Sequence, residues 1–258
     1  MARTIAITNQ KGGVGKTTTA VNLSTSLAAF ERKTLLIDID PQGNSTSGLG
    51  FDVDSLENTI YEVLIGKIDV HEAIINTEIK YLNLLPANIR LSGAQIELVN
   101  LIDREKKLLD SVKDLENEYD FIFIDCPPSL GILTVNAMVA AKSVLIPIQC
   151  EYYALEGVGQ LLNSIRLVQK NLNPDLIIEG ILLTMFDSRL NLSKQVAEEV
   201  RLYFENKVYK TVIARNVKLG EAPSFGKPII LYDILSQGAK AYLQLAKEVD
   251  NHAEKGAR

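Results

Sequence analysis

Gln10-Lys11-Gly12-Gly13-Val14-Gly15-Lys16-Thr17-Thr18, residues 10–18, is the stretch on which the fold turns. It follows a short β-branched run, TIAIT (4–8), and precedes Ala20, Leu23, Leu27 and Phe30, which fall on one face of a helix opening near Lys16. Strand, glycine-rich turn and helix in that order are the setting in which such a turn holds phosphate. Glycines let backbone N–H groups face phosphate oxygens, and the helix N-terminus adds partial positive charge. Lys16 then reaches the outer phosphate oxygens, and Thr17 offers a hydroxyl to Mg²⁺. The cradle is expected to run through Lys11, Gly12, Gly13, Val14, Gly15, Lys16, Thr17 and Thr18. Two features depart from the general G-x-x-x-x-G-K-[ST] pattern: Gln10 occupies the first glycine position, and a second lysine, Lys11, precedes Lys16. A second cation at one phosphate site fits a residue that answers charge in another subunit's site, as arginine fingers do in trans.

Working outward, TLLID (34–38), YLNLLPA (81–87), FIFID (121–125), SVLIPI (143–148) and LIIEGILLT (176–184) read as buried strands. Leu155, Val158, Leu162, Ile165 and Val168 line one face of a second helix. The alternation predicts an α/β fold: a mostly parallel twisted sheet with right-handed crossovers, helices on both faces, and ligands at the carboxyl ends of the strands. No repeat, low-complexity stretch or linker divides the chain, so one domain is expected over 1–258, with the last few residues frayed.

Of the 258 residues 47% are hydrophobic, enough for one substantial core, yet no apolar run reaches the ~18–20 residues of a membrane span. The N-terminus, MARTIAITNQKGG, runs straight into the first strand, so a cytoplasmic protein is expected. Cys126 and Cys150 lack a CxxC or Cys/His setting and read as core residues rather than a metal or disulfide framework. A net charge of −5 excludes a protein that coats nucleic acid with its whole surface. Between Arg189 and Lys240, however, nine basic residues face five acidic ones, so any DNA contact is expected there. His71, His252, Tyr152 and Tyr153 read as packing or surface residues.

KGGVGKTT (11–18), DIDPQGN (38–44) and FIFIDCPPSLG (121–131) resemble the three nucleotide-site motifs of the deviant Walker ATPases. GNSTSGLG (43–50), QCEYYALEG (149–157), DSRLNLSKQV (187–196) and RNVKLGEAPSFGKPI (215–229) are similar, in particular, to the ParA/Soj partition ATPases. The similarity runs from Met1 to about Val249. The resemblance implies a P-loop fold, ATP and Mg²⁺ as ligands, and ATP hydrolysis on a dimer whose subunits exchange Lys11 across their interface. Asp125, after four apolar residues, has the form of a Walker B carboxylate that holds Mg²⁺ through water. Spacing alone leaves Asp38 and Asp40 open; the resemblance favours Asp40 as the acid that orients the attacking water and stands near the metal, with Asp38 behind it. Lys11, Lys16 and Asp40 are thus the expected catalytic set, and adenine contact falls near Asn216. Ala214 departs from the proline common at its position in relatives.

The resemblance also places Arg189 and Lys218 where the family carries DNA-binding basic residues, and implies non-specific duplex DNA, a ParB-type centromere-binding partner and nucleoid association. Lys218 stands where relatives commonly have Arg; it keeps the charge and loses the planar fork. A rival within the same superfamily is the membrane-surface, division-site-positioning ATPase. The tail AKAYLQLAKEVDNHAEKGAR carries no Phe or Trp and little basicity, and reads instead as a helix packed on its own sheet.

Overall fold

The computed structural model describes residues 1–151 and 154–256, without the side chains of 154–156 and 252–256. The readings placed on Tyr152, Tyr153 and the side chains of Leu155 and His252 lie outside the described residues. Seven strands form one sheet: β1 (Arg3–Ile7), β2 (Thr34–Asp38), β3 (Ile75–Asn76), β4 (Leu82–Leu85), β5 (Phe121–Asp125), β6 (Ser143–Gln149) and β7 (Ile177–Thr184). Their order is β3-β4-β2-β5-β1-β6-β7. All neighbours pair parallel except β3, which runs antiparallel to β4 at the edge.

Both faces of the central strands are covered, which is why their sequences are unbroken apolar runs rather than alternating ones. On one face Ile5, Ile7, Leu36, Phe123 and Leu182 pack with Leu23 and Leu27 of helix α1 (Lys16–Ala28) and with Tyr242, Leu245 and Val249 of the helix Gln237–Gly256. On the other, Ala6, Leu35, Ile124, Ile146 and Leu183 meet Ala137 and Met138 of the helix Ile132–Ala140 and Val158, Leu161 and Ile165 of the helix Ala154–Asn171. Each fully buried Val, Leu, Ile, Phe or Met among them contributes ~1.5–3 kcal/mol. Cys126 and Cys150 are free and buried, in line with their reading as core residues. The C-terminal helix spends its apolar face on α1, as its sequence implied, and among the described residues no helix is long and apolar enough to cross a membrane.

The expected strand at 81–87 is shortened to Leu82–Leu85, because Tyr81 adopts a left-handed backbone at φ 69° and Pro86 follows. β3 was not foreseen; two residues give no periodicity to read. His71 is half exposed and bonded through its two ring nitrogens to Asp69 and Glu118.

A second short helix, α2 (Asn44–Gly48), leaves the tip of β2 and runs beneath the segment Ala222–Phe225. The two meet backbone to backbone. Gly226, at φ 61°, has no room for a side chain: a Cβ there would lie 2.7 Å from the Cα of Gly50, itself at φ 89°. A Gly226→Ala substitution therefore combines an unfavourable φ with a main-chain clash, and is expected to lower the unfolding free energy by about 1–3 kcal/mol. Urea denaturation checks this; an unchanged midpoint would show that the two segments have slack.

Candidate functional site

The carboxyl ends of β1, β2 and β5 converge on a cavity of about 460 Å³. Its floor is the turn between β1 and α1, whose last residue, Gly15, caps the helix at φ 88°, a conformation that costs a glycine least. Thr184 at the end of β7 fixes the turn by donating to the Val14 carbonyl at 2.9 Å. Gly12, Gly13, Gly15, Lys16, Thr17 and Thr18 line the cavity, with Asp40 opposite. These six loop residues share one cavity wall, with Val14 buried behind it. Lys16 is 7% exposed, and its Nζ donates to the Lys11 carbonyl at 3.1 Å, folding the loop back on itself. Burial pulls the Lys16 pKa down, and the nearby Asp125, Cys126 and Asp40 pull it back up.

Asp38 and Asp125 are register partners on β2 and β5, both with no exposed surface. Burial raises both pKa values, and each also stands in the field of neighbouring carboxylates. Their hydrogen bonding differs. Asp38 accepts from the Asp40 N–H at one oxygen, and from the Thr46 N–H and hydroxyl at the other, at 2.8–3.1 Å. Asp125 accepts from the Ser45 hydroxyl at Oδ2, 2.8 Å away, whereas its Oδ1 is buried without a hydrogen-bond partner. Asp40 is 7% exposed, faces the cavity and caps the following turn through the Gln42 N–H. Asp38 is therefore the internal member of the pair left open by spacing.

The same geometry tests a divalent cation. Among the described residues no cluster of three His, Cys, Asp or Glu could hold a metal alone. A cation here would take the Thr17 hydroxyl, water held by Asp125 and Asp40, and phosphate oxygens from a ligand, an all-oxygen set that suits Mg²⁺. The residues fit that group: one buried carboxylate oxygen is unpaired, and the Thr17 side chain stands near enough to Asp125 to pull its pKa down against the effect of burial.

A second cavity of about 180 Å³ shares Gly15, Thr18 and Met185 with the first. Asn216 lines it together with Ala214, Arg215, Leu219 and Tyr242. Asn216 also caps the short helix Val217–Glu221 through the Lys218 N–H. Ala214 is held by a parallel bridge to Phe186, so the loop is shaped by main-chain pairing without proline. Met185, at the junction of the two cavities, has a left-handed backbone, φ 49°.

Lys11 does not figure among the described residues lining either cavity. Its side chain is a third exposed, and its Nζ lies 3.9 Å from Glu151, which also meets Arg215 at 3.3 Å. Arg189 follows β7, its side chain 85% exposed, and pairs with Asp187 at 2.7 Å. Lys218 is half exposed, 3.3 Å from Glu221, with the Tyr232 ring beneath it. The two loops are joined where Phe186 pairs with Ala214 and accepts from the Arg215 N–H. Four contributors carried no assigned role in the sequence: Ser45, Thr46, Glu151 and Met185. Ser45 and Thr46 could have been flagged as hydroxyls directly after an acid-bearing strand tip; the other two leave no local signal.

These features define a phosphate-loop nucleotide-binding α/β protein. A family model described as an AAA domain matches residues 2–178. Over 249 residues the chain is 60% identical to the sporulation initiation inhibitor protein Soj of Bacillus subtilis (strain 168), which covers 96% of this chain and 98% of that one. It is 59% identical to the chromosome partitioning protein ParA of Myxococcus xanthus (strain DK1622), over 96% and 88%. Among solved structures, cobyrinic acid a,c-diamide synthase from Mycobacterium smegmatis with bound ADP and magnesium matches at TM-score 0.88 and 39% identity, covering 99% of this chain and 97% of that one. The chain belongs to the ParA/Soj family of P-loop ATPases.

The buried acids make stability depend on pH with a definite sign. A carboxylate whose folded pKa is raised binds more protons folded than unfolded, so it costs stability as pH climbs from the ordinary carboxylate range near ~4 toward neutrality. The Asp125→Asn protein, without ligand, is therefore expected to gain thermal stability over the parent at pH 7.5 and to lose most of that gain at pH 5. Calorimetry at the two values checks it; a pH-independent difference would assign the cost to something other than charge.

Proposed function

We propose that the chain is an ATP-hydrolysing DNA-partitioning protein that works as an ATP-dependent homodimer. The observation that carries the reading is the placement of Lys11: it belongs to the phosphate loop yet stands outside the cavity that loop encloses, a third exposed and paired only at 3.9 Å with the exposed Glu151. ATP occupies the larger cavity with Mg²⁺, its base in the smaller one near Asn216, a reading supported by the ADP and magnesium of the mycobacterial structure. Lys16 and the loop backbone neutralise the phosphates, Thr17 and Asp125 hold the cation, and Asp40 orients the attacking water. Phosphoryl transfer asks of a protein mainly positioning and charge neutralisation, so hydrolysis waits on the partner's Lys11.

Arg189 and Lys218 supply the DNA contact. Each already pairs with an acid, so a monomer binds weakly, and salt weakens it further. Joining two copies makes the second set of contacts intramolecular and raises avidity by ~10²–10⁴. DNA binding then reports nucleotide state, and a ParB-type partner accelerates hydrolysis and release. The names of the Soj and ParA relatives support segregation as the cellular task, in the cytoplasm and on the nucleoid. The membrane-surface alternative is disfavoured because the C-terminal helix buries its apolar face on α1.

Binding to non-specific duplex DNA, with ATP and with ADP over a salt series, tests this. Binding is expected to require ATP, to persist in Asp40→Ala, to vanish in Lys16→Ala, and in Arg189→Ala to show a log-affinity against log-salt slope shallower by about 1 per monomer. No ATP-dependent binding at low salt would sink the proposal. Asp187→Asn, which removes the competitor for Arg189, is expected to tighten binding several-fold at low salt, and equal affinity would mean that Arg189 does not touch phosphate.

A further inference from the structure

We infer that Ser45 is a positioning residue for the divalent cation, acting through Asp125. The inference rests on the reading of the larger cavity as a Mg²⁺–nucleotide site. Of the two buried acids, Asp38 has no oxygen to spare: Oδ1 is taken by the Asp40 N–H, and Oδ2 by both donors of Thr46. Thr46 is itself fixed, because its hydroxyl accepts from the Ala87 N–H at 3.0 Å. Asp125 differs in one respect. Its Oδ2 is held by the Ser45 hydroxyl, and its Oδ1, equally buried, is unpaired.

A carboxylate held at one oxygen cannot turn about its Cβ–Cγ bond without breaking that hydrogen bond. Ser45, with no exposed surface, therefore fixes the plane of Asp125 and keeps Oδ1 available to a cation's water. Without the hydroxyl, Asp125 loses the bond that sets its plane and keeps only the nearby Thr17 side chain, beside a Lys16 ammonium that already feels its charge. Groups that orient a metal's ligands in this manner commonly change metal affinity 10–100-fold when removed. Ser45 also lies on α2, which contributes Asn44, Ser47 and Gly48 to the cavity wall, so the same short helix both shapes the cleft and sets its acid.

The test is ADP binding by the full chain, followed by calorimetry in EDTA and across a Mg²⁺ titration, for the parent, Ser45→Ala and Ser45→Thr. Ser45→Ala is expected to match the parent in EDTA while needing about tenfold or more Mg²⁺ for half-maximal tightening, and Ser45→Thr, which keeps a hydroxyl, to stay near the parent. Should Ser45→Ala fail to fold, Ser45→Cys, nearly the same size and a weak donor, is expected to show the same direction of shift. An unchanged Mg²⁺ midpoint in the folded Ala or Cys variant overturns the role of Ser45 and leaves the nucleotide reading standing. A parent protein that binds no ADP in either condition overturns both.

Discussion

Burying like charges together is the constraint on which the rest of the site depends. Asp38 and Asp125 sit side by side at the tips of β2 and β5 with no exposure, and Asp40 follows within the same cleft. Against these three carboxylates the cleft places one buried ammonium, Lys16, whose Nζ donates to the Lys11 carbonyl. Removing a charge from water is expensive unless hydrogen bonds and opposite charge replace the lost solvation. Three donors do this for Asp38, whereas Asp125 has the Ser45 hydroxyl and the nearby Thr17 side chain. A phosphate ligand would add further negative charge to a cleft whose three carboxylates face the buried Lys16 and the exposed Lys227, so glycine N–H groups and two lysines do not balance it alone. A divalent cation with oxygen ligands does, and the unpaired Oδ1 of Asp125 is where the imbalance surfaces.

That electrostatic arrangement is carried into the fold by α2. At its start Ser45 and Thr46 tie it to the two acids; at its end Gly50 touches Gly226 main chain to main chain. Because neither glycine has space for a Cβ, a displacement of α2 is passed to the 222–226 segment rather than absorbed by a side chain. The helix Val217–Glu221, which carries Lys218, is continuous with that segment, and Tyr232 bonds back to Glu221. Of the proposed DNA residues, Lys218 is therefore linked to α2 through this main-chain contact.

How much of this was legible in the sequence follows from what each feature requires locally. The central strands showed themselves because strands covered on both faces must be apolar throughout. The phosphate loop showed itself because its geometry needs glycines at fixed places before a helix. Lys16 was marked by its place at the end of the glycine turn and Asp125 by its place at the end of an apolar run, whereas Asp40 was set apart from Asp38 by resemblance alone. β3 escaped, being two residues stabilised only by pairing with β4. The duties of Ser45 and Thr46 escaped because α2 has five residues and no apolar stripe, and their partners lie 80 and 8 residues away in the chain. The division of labour between Asp38 and Asp125 was out of reach for the same reason: it depends on which donors the fold delivers, not on the acids themselves.

The opposite case is the pair of basic residues assigned to DNA. Their positions came from resemblance, yet their energetics come from immediate neighbours. Arg189 is held by an acid two residues back, and Lys218 by one three residues on. Exposed pairs of this kind are worth little, about 0–1 kcal/mol, so they neither freeze the side chains nor prevent a phosphate from replacing the carboxylate. They do cancel most of the local field. In a protein of net charge −5, attraction to a polyanion then rests on several contacts engaged at once. Affinity that depends on the number of contacts rather than the strength of each is what the proposed dimer would switch.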